Sequence, residues 1–298
     1  MKISLHNPGA SLFVADGTAQ EPALGRITHL GIGAHPDDLE IMAYHGIARC
    51  LHDEERWFGG ITCTHGGSSP RSGPYADFSD DQMRSLRREE QQNAARLGRY
   101  GGLLQLDYSS ADICSGGGLD LRSDLQALLA AMRPRVVYTH NPADKHTCHL
   151  AVLWAAIEAM RRLPRDQRPR TVYGCEVWRG LDWLPDQDKV ALDVSDHPEL
   201  SAALLGLFDS QISGGKRYDL ATLGRQSANA TFHQPRQVDR AEKVVFALDL
   251  TPLIQEDRME IADYVEVFIE RFRQDVREKL EGFRAKTQSR KGQRRKDL

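Results

Sequence analysis

The 298 residues carry 40% hydrophobic side chains and a formal charge of −3, a globular balance that makes no case for a nucleic-acid partner. No apolar run reaches the roughly 18 residues of a membrane helix. The opening MKISLHNPGASLFVADG lacks the apolar stretch and cleavage site of a secretory signal, so a soluble cytoplasmic protein is expected. The five cysteines (Cys50, Cys63, Cys114, Cys148 and Cys175) form no C-x-x-C pair. Neither a disulfide framework nor a four-cysteine zinc knuckle is expected; they read as small buried hydrophobes in a reducing compartment.

In chain order, RITHLGIGA (26–34) is a short apolar run ending in glycines, the mark of a buried strand. Residues 39–53 follow with helical apolar spacing, and WFGGITCTH (57–65) reads as a second strand. The stretch 79–98 is a helix with Ser79 as N-cap and Gly98 just past its end. Residues 103–106 form a brief strand, 119–132 a helix stopped by Pro134, 136–140 a buried strand and 149–163 a helix. Further strands at 171–179, 189–195 and 242–250 bracket helical stretches near 198–213 and 216–230. A last helix at about 257–281 carries Ile261, Tyr264, Val265, Phe268, Phe272, Val276 and Leu280 at spacings of three and four, which predicts core packing.

Strands alternating with helices predict an α/β fold, a Rossmann-like mostly parallel sheet with helices on both faces. A C-terminal elaboration ends in the long helix. With no repeat and no low-complexity linker, the organisation is one domain over 1–283, with its core at about 26–180 and the elaboration at about 181–283. The tail 284–298, with seven Lys or Arg against one Asp, reads as a solvated, disordered end.

Ligands of open parallel sheets sit outside the carboxyl ends of the strands. Two clusters occupy such ends. The first is AHPDDLE (34–40), where GIGAHP begins like a dinucleotide fingerprint. Its sixth position is Pro36 rather than Gly or Ala, and the acidic pair Asp37–Asp38 would repel a phosphate, which excludes that reading. The second is HNPADKHTCHLAV (140–152), with His140, His146 and His149 around Asp144. Any one of these histidines is more often structural; together, facing an H-x-D-D cluster, they point to a metal. His35, Asp38 and one histidine of the second cluster make a three-ligand set with an open position. The other aspartate is left to take a proton from a water activated by the metal. A histidine three residues before the metal-binding one is placed to stabilise an oxyanion.

The AHPDDLE motif, followed about a hundred residues later by H-x-x-H, resembles the PIG-L/LmbE-like family of zinc-dependent N-acetylglucosaminyl deacetylases, over roughly residues 27–180. The resemblance implies that His35, Asp38 and His149 bind zinc, that Asp37 is the general base and that His146 stabilises the oxyanion. Glu40 is then a structural hydrogen-bonding residue, and Arg87 with Glu90 matches the family's R-x-x-E helix near the substrate. The chain departs from the family's H-P-D-H, carrying Thr147 and Cys148 between its two histidines. It also has THGGSSPRSG where many members place an acid, which makes His65 and Arg71 candidates for substrate contact. Arg179 and Asp144 are further candidates. Trp178 and Trp183 read as core or as a sugar platform, and Lys216 and Arg217 as surface residues or cationic donors.

The expected activity is hydrolysis of the acetamide of an N-acetyl amino sugar, a small-molecule substrate. Zinc is the expected ion, with iron(II) or another divalent metal also compatible with a His₂Asp set. A metal hydrolase of another bond, such as a phosphoester, and a non-catalytic sugar-binding protein are the alternatives. A homo-oligomeric assembly stays open.

Overall fold

The computed structural model describes residues 3–115 and 118–294, apart from the side chains of residues 118 and 288–294. Eight strands form one mixed sheet: β1 (Ser11–Phe13), β2 (Ile27–Gly33), β3 (Trp57–Thr64), β4 (Gly102–Tyr108), β5 (Val136–His140), β6 (Thr171–Cys175), β7 (Val190–Asp193) and β8 (Val244–Asp249). Their order is β1-β4-β3-β2-β5-β6-β8-β7. The central strands β4, β3, β2, β5 and β6 run parallel; β1 on one edge and β8 towards the other run against them, and the edge strand β7, antiparallel to β8, runs with them. From β2 the chain winds outward through β3 and β4, then crosses back to β5. The reversal falls between β2 and β5, where a doubly wound sheet opens a crevice at its carboxyl edge.

Helices cover both faces. Leu121, Leu125, Leu128, Val152, Ala156 and Met160, from the helices Gly118–Met132 and Thr147–Arg161, pack on one side. Leu39, Met42, Tyr44, Ile47, Tyr100 and Leu204 pack on the other. β3 and β4 are buried along almost their whole length, as strands inside a sheet covered on both faces are. Gly33 has a packing role: a Cβ there would stand 2.9 Å from the Asp38 Cβ and 3.4 Å from a Leu39 methyl. Only glycine lets the short helix Asp38–Met42 lie directly on the end of β2.

Four expectations are corrected. The segment 39–53 is two helices, Asp38–Met42 and Tyr44–Cys50, broken at Ala43. The helix placed at 149–163 starts at Thr147, because the His146 ring caps it by accepting from the Cys148 amide at 3.3 Å. Cys114 and Cys148 form a disulfide across 34 residues, while Cys50, Cys63 and Cys175 are free and buried. The sheet, not sequence spacing, brings those two cysteines together, since the segments following β4 and β5 leave its same edge. Finally, the last helix runs from Ile261 to Arg294, through much of the basic tail, and its apolar stripe is core only at its start, where Ile261, Tyr264 and Phe268 pack against the body. Phe268 is buried, whereas Val276 and Leu280 are 40% and 67% exposed. Residues 295–298 of the tail lie outside the described residues.

Candidate active site

The end of β2 is bound directly to the end of β5. The Ala34 amide donates to His140 Nε2 at 2.9 Å, and the Thr139 hydroxyl donates to the Ile32 carbonyl at 3.1 Å. These bonds hold the two histidine-bearing stretches at a fixed separation. They also settle the role of His140: its Nε2 is engaged, and the fully buried ring stacks on His149 with centroids 3.8 Å apart. It is a backing for the site.

Asp38 sits at the start of its helix with one carboxylate oxygen on the His35 amide at 2.7 Å. That oxygen is 3.3 Å from His35 Nδ1, and the other is 3.4 Å from His149 Nε2. The two imidazole nitrogens are 3.3 Å apart. Two ring nitrogens and a carboxylate oxygen converge on one point, close enough together that they could hold a divalent metal between them. The electrostatics agree. Burial would raise the Asp38 pKa, but His149 and His140 hold it low, so the carboxylate stays charged. Burial works against charge on His149, yet Asp38 and Asp144 outweigh it and raise its pKa.

Asp37 turns away from this set. Its backbone has φ 93°, a left-handed conformation that costs a non-glycine residue about 1–3 kcal/mol and persists only where its surroundings impose it. Here the helix Asp80–Leu97 imposes it. That helix begins with a capping box between Ser79 and Gln82 and turns Arg87 and Gln91 inward. The Asp37 amide donates to Gln91 Oε1 at 3.0 Å, and Arg87 donates to the Asp37 carboxylate at 3.1 Å and to the Pro36 carbonyl. Gln91 in turn donates to Glu40, which also accepts from the Tyr100 hydroxyl. Glu40 is therefore structural. Burial, reinforced by Asp38, pushes the Asp37 pKa well up despite Arg87, which makes its carboxylate a stronger base.

Both aspartates open into a cavity of about 550 Å³ that His146, Trp178, Lys216 and Tyr218 also line. Burial, with His35 and His149 adding to it, brings the His146 pKa down to about 4. The ring is neutral near pH 7, and because Nδ1 accepts from Cys148, the proton lies on Nε2 as a donor.

The substrate-contact candidates separate. Arg87 lines the cavity, but its guanidinium is held by Asp37, Pro36, Ser69 and Gly66. His65 accepts from the Gly67 amide, and Arg71 binds the Gly67 carbonyl and Asp80; neither is on the cavity wall. Arg179 is exposed and also off the wall. Asp144 is buried behind His149, 3.5 Å from its Nδ1, and accepts from the His146 and Trp178 amides. Glu90 accepts from Ser210, away from the cavity. Trp178 and Lys216 are wall residues, with the ammonium 5.1 Å from the indole centroid, whereas Arg217 pairs outward with Asp219. Gln211, Tyr218, Thr222 and Arg225 complete the wall from the elaboration, and no motif marks them in the sequence.

Residues 30–160 match the family described as PIG-L: GlcNAc-PI de-N-acetylase. That stretch holds both histidine clusters. The chain is also similar to the uncharacterized deacetylase YaiS of Escherichia coli K12, at 28% identity over 159 residues, 51% of this chain and 78% of that protein. Among solved structures, the fold is shared with 4-carboxy-2-hydroxymuconate hydratase GalB from Pseudomonas putida KT2440 (TM-score 0.58, 18% identity, covering 75% of this chain and 95% of that one). It is shared too with N,N'-diacetylchitobiose deacetylase from Pyrococcus horikoshii (TM-score 0.55, 19% identity, 78% and 88%). A hydratase and a deacetylase on one fold mean that the reaction of this chain has to be argued from its site.

Proposed function

We propose that the chain is a metal-dependent deacetylase that cleaves the acetamide of an N-acetyl amino sugar. The observation that supports this reading is the division of labour on one cavity floor. His35, Asp38 and His149 form a donor set, the raised-pKa carboxylate of Asp37 faces the cavity beside it, and a neutral His146 presents an N–H above. A zinc or similar ion held by that donor set would supply a polarised amide carbonyl and an acidified water.

The remaining work belongs to the protein. Asp37 takes the proton of the attacking water, with Arg87 holding its carboxylate in place. His146 donates from Nε2 to the oxygen on which negative charge develops, without the cost of a charged imidazole in a buried site. Trp178 and Tyr218, 6.1 Å apart and edge to face, offer apolar ring surface for a pyranose. A phosphoester is disfavoured because Asp37 and Asp38 at the cavity floor repel a phosphate.

The test is metal analysis of the purified protein with acetate release over a panel of N-acetyl sugars. One divalent ion per chain and acetate from at least one sugar are expected, and His149→Ala should lose both while keeping its fold. Stoichiometric metal in His149→Ala would overturn the ligand set. A metal-loaded protein that releases no acetate across the panel would overturn the reaction.

A further inference from the structure

The C-terminal helix leaves the body of the protein with its apolar stripe bare. Phe272 touches the edge of Trp183, yet it remains 38% exposed. Beyond it Val276, Leu280 and Phe283 are 40%, 67% and 73% exposed, and Ile269 before it 48%. Soluble proteins seldom present a row of large apolar side chains to water without a partner. The row is also narrow: at about 100° per helical residue, these five lie within about 40° of the direction of Val276.

Their order along the helix identifies the partner. The steps from Ile269 to Phe272, Val276, Leu280 and Phe283 are three, four, four and three, a sequence that reads the same in both directions. Laid antiparallel against a second identical helix with Val276 on the two-fold axis, Ile269 meets Phe283, Phe272 meets Leu280, and Val276 meets itself. Every apolar side chain faces another. The repeat of eleven residues, Ile269 to Leu280 and Phe272 to Phe283, suits nearly straight helices rather than a tightly wound coil.

Charge agrees with the same register. Glu266 and Arg284 lie on one side of the stripe near its opposite ends, and neither has an ion-pair partner among the described residues. A two-fold antiparallel pair sets Glu266 of each copy beside the other's Arg284. More broadly, the first ten residues of the helix hold Asp263, Glu266 and Glu270 with no Lys or Arg, whereas the stretch from Arg284 onward is strongly basic. Antiparallel pairing joins unlike ends; parallel pairing joins like ones.

We propose that the protein forms a two-fold dimer through antiparallel pairing of its C-terminal helices, centred on Val276. Sedimentation of the full chain at micromolar concentration should give about twice the 33.4 kDa of one chain. Val276→Glu and Leu280→Glu together should yield a monomer with unchanged circular dichroism and unchanged hydrolytic activity, since both side chains are exposed and neither lines the cavity. Arg284→Glu should weaken the dimer, and Glu266→Arg combined with it should restore it. Under oxidation Val276→Cys should cross-link to itself, whereas Ile269→Cys should not. A monomeric wild type, a dimer that survives the double glutamate variant, or self-cross-linking by Ile269→Cys as efficient as that of Val276→Cys would overturn the proposal.

Discussion

Asp37 and Asp38 differ by one position in sequence and by their whole environment in the structure. Asp38 faces three imidazoles, while Asp37 faces a guanidinium and the cavity. Asp38→Asn should therefore lower metal affinity. Asp37→Asn should keep the metal, measured by mass spectrometry of the desalted protein, and lower kcat by about 10²–10⁴-fold with KM little changed. Metal loss in both variants, or in neither, would refute the division of roles. Asp144 makes a second prediction at this scale. The family's aspartate between the two histidines is absent here, and Asp144, from the loop before them, supplies a carboxylate to His149 Nδ1 instead. Removing such a partner of a metal-binding histidine typically costs about 10–100-fold in metal affinity, and Asp144→Asn should do so when titrated against a competing chelator. The H-x-D-D cluster and the spacing of the later histidines were legible in the sequence because local spacing carries them. Asp144's service to His149 was not, because it depends on a loop doubling back against the ring.

The helix Thr147–Arg161 bears His149 in its first turn and is tied at that same turn to the helix Ser110–Cys114 by the Cys114–Cys148 disulfide. A cross-link closing a loop of this length stabilises by about 2–4 kcal/mol, largely by restricting the unfolded chain. Cys114→Ser should lower the Tm measured without reductant, and dithiothreitol should lower the wild type to match while leaving the variant where it is. A variant as stable as the oxidised wild type would show that the link does not contribute. At this scale, helix and strand existence followed from periodicity, while two features escaped it. The break at Ala43 divides a pattern that reads as one helix. The stripe on the last helix has the periodicity of a core face, and periodicity reports that a face is apolar without reporting what covers it. The three-residue edge strand β1 carries too little pattern to be seen at all.

For the whole molecule, acid stability is set in part by two histidines away from the cavity. His29 and His45 are held down to about 4, chiefly by burial and then by nearby arginines, from 6.5 in the unfolded chain. Above pH 6.5 both are neutral in both states and cost nothing. As the pH falls from 6.5 towards 4, the unfolded chain takes up protons that the folded chain refuses, so stability must decline through that window. His45 Nδ1 lies 2.8 Å from the Tyr138 hydroxyl, so glutamine is the substitution that keeps a polar partner there. His45→Gln should flatten the decline of Tm between pH 6.5 and 4, and an unchanged slope would count against it. The alternation of strands and helices made the fold class readable in advance. The cavity wall from Gln211 to Arg225 was not readable, because it is assembled by packing of the second half onto the first.

The reversal of the sheet between β2 and β5 has a kinetic meaning. His35 and His149 are separated by 114 positions, and they meet only after β5 has paired beside β2. No fragment ending before residue 149 can assemble the proposed ligand set, and no early collapsed state that lacks that pairing can either. Long-range parallel pairing is slow to form because the intervening chain must first be closed into a loop. A visible-absorbing cobalt(II) ion supplied during refolding would thus act as a clock. Its visible absorption should appear with the last phase that restores native fluorescence, and should trail the recovery of helix signal in the far ultraviolet.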